Sequence, residues 1–226
     1  MPAPRRLLVL GLGLGLPALV AALIALPALR PQGLLQPSRL SGRWSPASRS
    51  GGSHHDQRQP PLILLGDSIT AAGPWRQAFP QRMVVNAGIP GDTSADLLAR
   101  LDSLPPLAGS TVVLMAGIND ILQDRPAAAV ADRLLAVRRG LLERGAARVV
   151  VMATLPCEAA RWGPRCLAAV AELNRCLLKP LPAADVLDLR PALSDAGGLR
   201  RAMGIDGLHL NEAAYRIWIQ RLKAMV

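Results

Sequence analysis

The chain has 226 residues with 26 Lys+Arg against 16 Asp+Glu, a formal charge of +10. Half of it is apolar but only 3% is aromatic, so one sizeable domain with an aliphatic core fits, and a short appendage besides. The positive charge comes from arginines scattered along the chain, with Lys179 and Lys223 the only lysines; a nucleic-acid-binding face would gather them into a stripe with aromatics, and that function class is set aside.

In chain order the first feature is an uncharged run from Leu7 to Leu29, preceded by Arg5 and Arg6. Its 23 residues suffice to cross a hydrocarbon core of roughly 30 Å. Positive charge ahead of the run favours a cytoplasmic start and an exported body. Residues 1–30 therefore read as a single-pass membrane anchor with the remainder outside the cytoplasm, the rival being a signal segment cleaved on secretion. Residues 31–60, rich in Pro, Ser, Gly, Gln and Arg, lack apolar periodicity and read as a flexible linker. His54 and His55 fall in it without a carboxylate or thiol cluster beyond Asp56, so no metal site is assigned.

From residue 61 onward strands and helices alternate. Strands are predicted at 61–66, 82–86, 111–116, 147–154 and 184–189, each a short apolar run. Helices are predicted at 93–101, 126–144, 165–179 and 211–225. In the second helix Val130, Leu134, Val137 and Leu141 recur at helical spacing, and Gly145 stops it. In the last, Asn211 is positioned to cap, and Tyr215, Trp218, Ile219 and Leu222 form one apolar stripe. The alternation predicts an α/β fold, a parallel sheet with helices on both faces in a domain spanning 61–226.

Four short motifs lie where strands end or helices begin. Gly66-Asp67-Ser68-Ile69 closes the first strand, where α/β sheets hold their ligands. A serine there is a nucleophile once a base takes its proton, or an ordinary helix cap. Asn86 to Thr93 closes the second strand, and Gly91 within it lets a backbone N–H approach a ligand closely. Gly117-Ile118-Asn119-Asp120 follows the third strand and offers the Asn119 amide as a donor. Asp206-Gly207-Leu208-His209 precedes the last helix, and His209 is the only histidine beyond the linker. A carboxylate three residues before an imidazole can curl back to its Nδ1–H, fixing the tautomer and stabilising the imidazolium.

A nucleophile, a base with its orienting acid, and donors for a developing oxyanion are the parts of acyl transfer. With these motifs in this order, the chain from about Leu62 onward resembles the GDSL lipases, or SGNH hydrolases. That resemblance implies a flavodoxin-like three-layer α/β/α sandwich with a parallel sheet of about five strands. It implies Ser68, His209 and Asp206 as the catalytic triad, and Ser68, Gly91 and Asn119 as the oxyanion hole. Leu210 stands where many members carry proline. The expected activity is hydrolysis of ester or thioester bonds in small acyl, lipid or O-acetylated glycan substrates, without metal or cofactor. An acyltransferase using the same triad, and a non-catalytic carbohydrate- or lipid-binding module, are the alternatives. The groove is expected along 71–80 and 155–165, with Trp75 and Trp162 each serving either as a substrate contact or as packing. Of Cys157, Cys166 and Cys176, the first two flank a Trp-Gly-Pro turn and either close a small loop or stay unpaired.

Overall fold

The computed structural model describes residues 59–226; the expected anchor and most of the linker lie outside them. In chain order the elements are β1 (Leu62–Gly66), α1 (Ser68–Ala71), α2 (Trp75–Ala78), β2 (Val84–Gly88), α3 (Ser94–Ala99), β3 (Thr111–Met115), α4 (Ile118–Leu122), α5 (Ala127–Glu143), β4 (Arg148–Met152), α6 (Ala159–Trp162), α7 (Pro164–Leu178), β5 (Val186–Leu187), α8 (Arg190–Leu193), the two short strands β6 (Ser194–Asp195) and β7 (Gly198–Leu199), and α9 (Glu212–Lys223). Strands β1 to β5 form one sheet in the order β2-β1-β3-β4-β5, every pair parallel. This is the expected three-layer α/β/α arrangement with the flavodoxin-like strand order. Strands β6 and β7 make a small antiparallel pair outside it.

All of β1 and β3 is buried, as continuous apolar runs require when helices cover both faces. Register sets the height of the strand ends: Gly66 lies level with Gly88 of β2 and Met115 of β3. The loops after these three strands therefore leave the sheet at one level, on either side of the β1/β3 boundary where the strand order reverses. That boundary is where doubly wound sheets hold ligands. The last strand is shorter than the predicted 184–189. Ala183–Asp185 winds into a 3₁₀ turn after Pro182, and the Asp188 side chain instead accepts from the Arg190 backbone N–H and guanidinium, so only two residues pair.

The stripe on α9 packs behind α1. Trp75 meets Trp218 edge-on at 4.7 Å between ring centroids, and Tyr215 stacks on Trp218 at 6.1 Å. Trp75 Nε1–H donates to the Thr70 carbonyl at 2.7 Å, and the Tyr215 hydroxyl donates to the Ile69 carbonyl at 2.7 Å. Trp75 is thus a core residue with its one polar atom satisfied, and not a substrate contact. Among the described residues no helix is long and apolar enough to cross a membrane.

Candidate active site

Ser68 is the first residue of α1, and the cap belongs to its neighbour. Asp67 Oδ1 accepts the Ile69 N–H at 3.0 Å, which leaves the serine hydroxyl free of capping duty. That hydroxyl lies 3.0 Å from His209 Nε2, joining positions 141 apart in sequence. His209 Nδ1 lies 2.7 Å from Asp206 Oδ2. A carboxylate can only accept, so Nδ1 carries the proton and Nε2 is left to accept from Ser68.

The Asp206 side chain is fixed by its own loop: Oδ1 accepts the backbone N–H groups of Leu208 at 3.0 Å and His209 at 2.8 Å. Gly207 allows that curl, with φ of +80°. Partial burial pushes the Asp206 carboxyl upward, but the hydrogen bonds from His209 and Leu208 outweigh it and hold the group at about 2. It is therefore ionised at neutral pH. Both groups face solvent, with side chains 38% (His209) and 45% (Asp206) exposed.

As the first residue of a helix, Ser68 has a backbone N–H without an intrahelical acceptor. Gly91 has φ of +86°, and a Cβ placed there would meet nothing within 4 Å, so the space before it is open. Asn119, on α4, donates one amide hydrogen to the Asp92 carbonyl at 2.9 Å, which holds its side chain against the segment carrying Gly91 and leaves the second hydrogen available. That segment is in turn tied to the end of β1 by Ile89 N–H donating to the Gly66 carbonyl at 3.0 Å.

Several supports of this arrangement escaped the sequence reading. Arg100 donates to the Ala87 carbonyl at 2.7 Å, to the Gly66 carbonyl at 3.3 Å and to Asp92 Oδ2 at 2.7 Å, clamping β1, β2 and the Gly91 segment together. Burial raises the Asp92 carboxyl above its ordinary value, and Arg100 pulls against it. Buried Asp120 accepts both the backbone N–H and the hydroxyl of Ser94, fastening α4 to the start of α3. Asn86 spans from β2 to α1, donating to the Ala71 carbonyl at 2.8 Å while accepting from Gly88 N–H at 3.0 Å.

Cys157 and Cys166 form a disulfide, and Cys176 is free. The closed loop braces the His209 segment from outside. Glu158 N–H donates to the Gly207 carbonyl at 2.7 Å, Ala159 N–H to the Gly197 carbonyl at 2.9 Å, and Leu199 N–H to the Cys157 carbonyl at 3.3 Å. Glu158 also pairs with Arg201 at 2.5 Å.

Comparison with known proteins bears on the family and the fold. Residues 64–217 match the model of the GDSL-like Lipase/Acylhydrolase family. The chain is 30% identical over 164 residues to Esterase TesA of Pseudomonas aeruginosa, covering 66% of this chain and 78% of that protein. It is 28% identical over 186 residues to bovine platelet-activating factor acetylhydrolase IB subunit alpha1, covering 77% of this chain and 78% of that one. Among solved structures, the lipase/acylhydrolase from Enterococcus faecalis aligns with a TM-score of 0.58 at 25% identity, over 73% of this chain and 93% of the other.

Proposed function

Because the chain belongs to the GDSL-like lipase/acylhydrolase family and is a hydrolase of ester bonds, we propose that Ser68, His209 and Asp206 are its catalytic triad and that Ser68 N–H, Gly91 N–H and the Asn119 amide form its oxyanion hole. The contact between Ser68 Oγ and His209 Nε2 at 3.0 Å carries this reading. Ser68 Oγ attacks the ester carbonyl carbon as His209 Nε2 takes the hydroxyl proton. The carbonyl oxygen gathers negative charge and accepts from the three donors. Collapse of the tetrahedral intermediate breaks the bond to the alcohol, which leaves with the proton from Nε2. Water, deprotonated by the same nitrogen, then releases the acid and restores the serine. Asp206 stabilises the imidazolium in both halves.

The exposed imidazole suits small acyl esters, lysophospholipids or O-acetylated sugars, and the acetylhydrolase relative supports a short acyl group. The same openness would admit an alcohol in place of water, which is the acyltransferase alternative; adding a glycol acceptor and analysing the products separates the two. The apolar run at 7–29 supports attachment to a membrane with the hydrolase domain outside the cytoplasm. Ser68→Ala is expected to lower kcat on p-nitrophenyl acetate by about 10⁴–10⁶ with unchanged circular dichroism. Full activity in that variant would refute the triad.

A further inference from the structure

Three of the five large apolar side chains exposed among the described residues are Ile89, Trp162 and Ile205, at 45%, 43% and 73%. Ile89 follows β2 in the segment that holds Gly91, Trp162 ends α6 in the loop beyond β4, and Ile205 immediately precedes Asp206. All three thus lie in loops around the carboxyl edge of the sheet, the edge that carries Ser68. Arginines line depressions beside two of them, Trp162 and Ile205. A depression of 510 Å³ is lined by Arg125, Trp162 and Arg165, together with apolar Ile121 and Leu122. A second, of 360 Å³, is lined by Arg161, Arg201 and Ile205. Trp162 and Arg161 are adjacent on α6, so the two depressions share that helix as a wall. Arg201 is neutralised by Glu158. Arg125, Arg161 and Arg165 make no ion pair among the described residues, and the acids lining the same depressions are Asp124 and Glu158 alone.

We propose that this rim docks on a bilayer containing anionic phospholipid, and, taking the reading of the site above, that it delivers Ser68 to esters held at that surface. Isolated aliphatic and indole side chains among guanidinium groups suit the interface between acyl chains and phosphates: the apolar tips enter the boundary and the arginines stay at headgroup level. The unpaired arginines and the +10 charge of the chain complement negative lipid. Isoleucines offer no face on which bases stack, which disfavours a nucleic-acid partner.

Tryptophan fluorescence tests the proposal in the full chain. Trp75 and Trp218 are buried, so Trp44→Phe leaves Trp162 as the reporter; Ser68→Ala prevents lipid hydrolysis. The protein is reconstituted with vesicles of dibrominated phosphatidylcholine, alone or mixed with dibrominated phosphatidylglycerol. Trp162 emission is expected to be quenched in the mixed vesicles and largely spared in the neutral ones. Each of Arg125→Gln, Arg161→Gln and Arg165→Gln is expected to weaken docking about fivefold, and the triple variant about 100-fold, with unchanged circular dichroism and, on restoring Ser68, unchanged hydrolysis of a soluble short ester. Absence of quenching in both lipids, or equal quenching in both, would overturn the proposal. So would a blue shift that grows with protein concentration in the absence of lipid, which assigns the face to a second copy of the chain. Docking is read with an inactive serine, so its failure and a failure of the esterase assignment are distinguishable.

Discussion

Asp67 caps α1 through one oxygen while its other oxygen, Oδ2, is buried without a partner. Burial lifts the carboxyl from 3.8 to about 6, against the opposing pull of the Ile69 N–H and the His209 charge. Between those two values the folded chain holds more protons than the unfolded one, so folding stability falls as pH rises through the window. It is undiminished below 3.8 and flat above about 6. The span corresponds to about 3 kcal/mol. Asp67→Asn keeps a capping oxygen without the buried charge. It is expected to flatten the stability–pH curve between about 4 and 6 and to raise the urea midpoint at pH 8. A lower midpoint at pH 8 would show that the charge is stabilised in place. At this scale the sequence was legible where a residue type is rare. One histidine beyond the linker left a single candidate base, and a Gly-Asp-Ser step at a strand end marked Ser68 as the candidate nucleophile. It could not decide whether Asp67 or Ser68 does the capping, since both residue types favour that role. Nor could it single out Arg100, one arginine among many, whose partners at Gly66 and Ala87 lie 34 and 13 positions away.

The long helices and buried strands were legible because periodicity needs length. Helix α5 at Ala127–Glu143 and α9 at Glu212–Lys223 lie within a residue or two of their predicted bounds. Elements of two to four residues, such as α6, β6 and β7, carry no periodic signal, and they were missed. They lie within or against the loop closed by the Cys157–Cys166 bond, whose pairing the spacing alone left open. A chain-entropy estimate for closing so short a loop is roughly 2.5 kcal/mol. Replacing both cysteines by alanine is expected to lower the melting temperature accordingly. By freeing the backbone bonds from Glu158 to Gly207 and from Ala159 to Gly197, it is also expected to reduce kcat on a soluble ester. A Cys176→Ser control is expected to match the parent in both measurements. A double variant that melts lower but keeps full kcat would show that the brace serves the fold without holding the imidazole.

Across the described residues, the first and last elements depend on each other. Strand β1 pairs on both sides, and α9 fastens onto the two short helices that follow it, onto α1 through Tyr215 and onto α2 through Trp218 against Trp75. A protein of residues 59–226 is expected to fold and hydrolyse a short soluble ester at the full-chain rate. Ending the chain before Glu212 is expected to unfold it, since losing even one buried tryptophan costs about 3–5 kcal/mol. Calorimetry and the ester assay check both truncations. Fold and family were legible here because three motifs close successive strands and a fourth precedes the last helix, in a fixed order. The rim beyond them was not, because exposed arginines and isoleucines leave no pattern until folding gathers them. The level ending of β2, β1 and β3 has an engineering consequence. The groups proposed for bond-breaking are seated on that shared platform or anchored to it, whereas the stretch between Cys157 and Cys166 is a separate, stapled cassette. Exchanging the cassette's outward-facing side chains offers a way to retune which surface the enzyme docks on without rebuilding the platform that does the cutting.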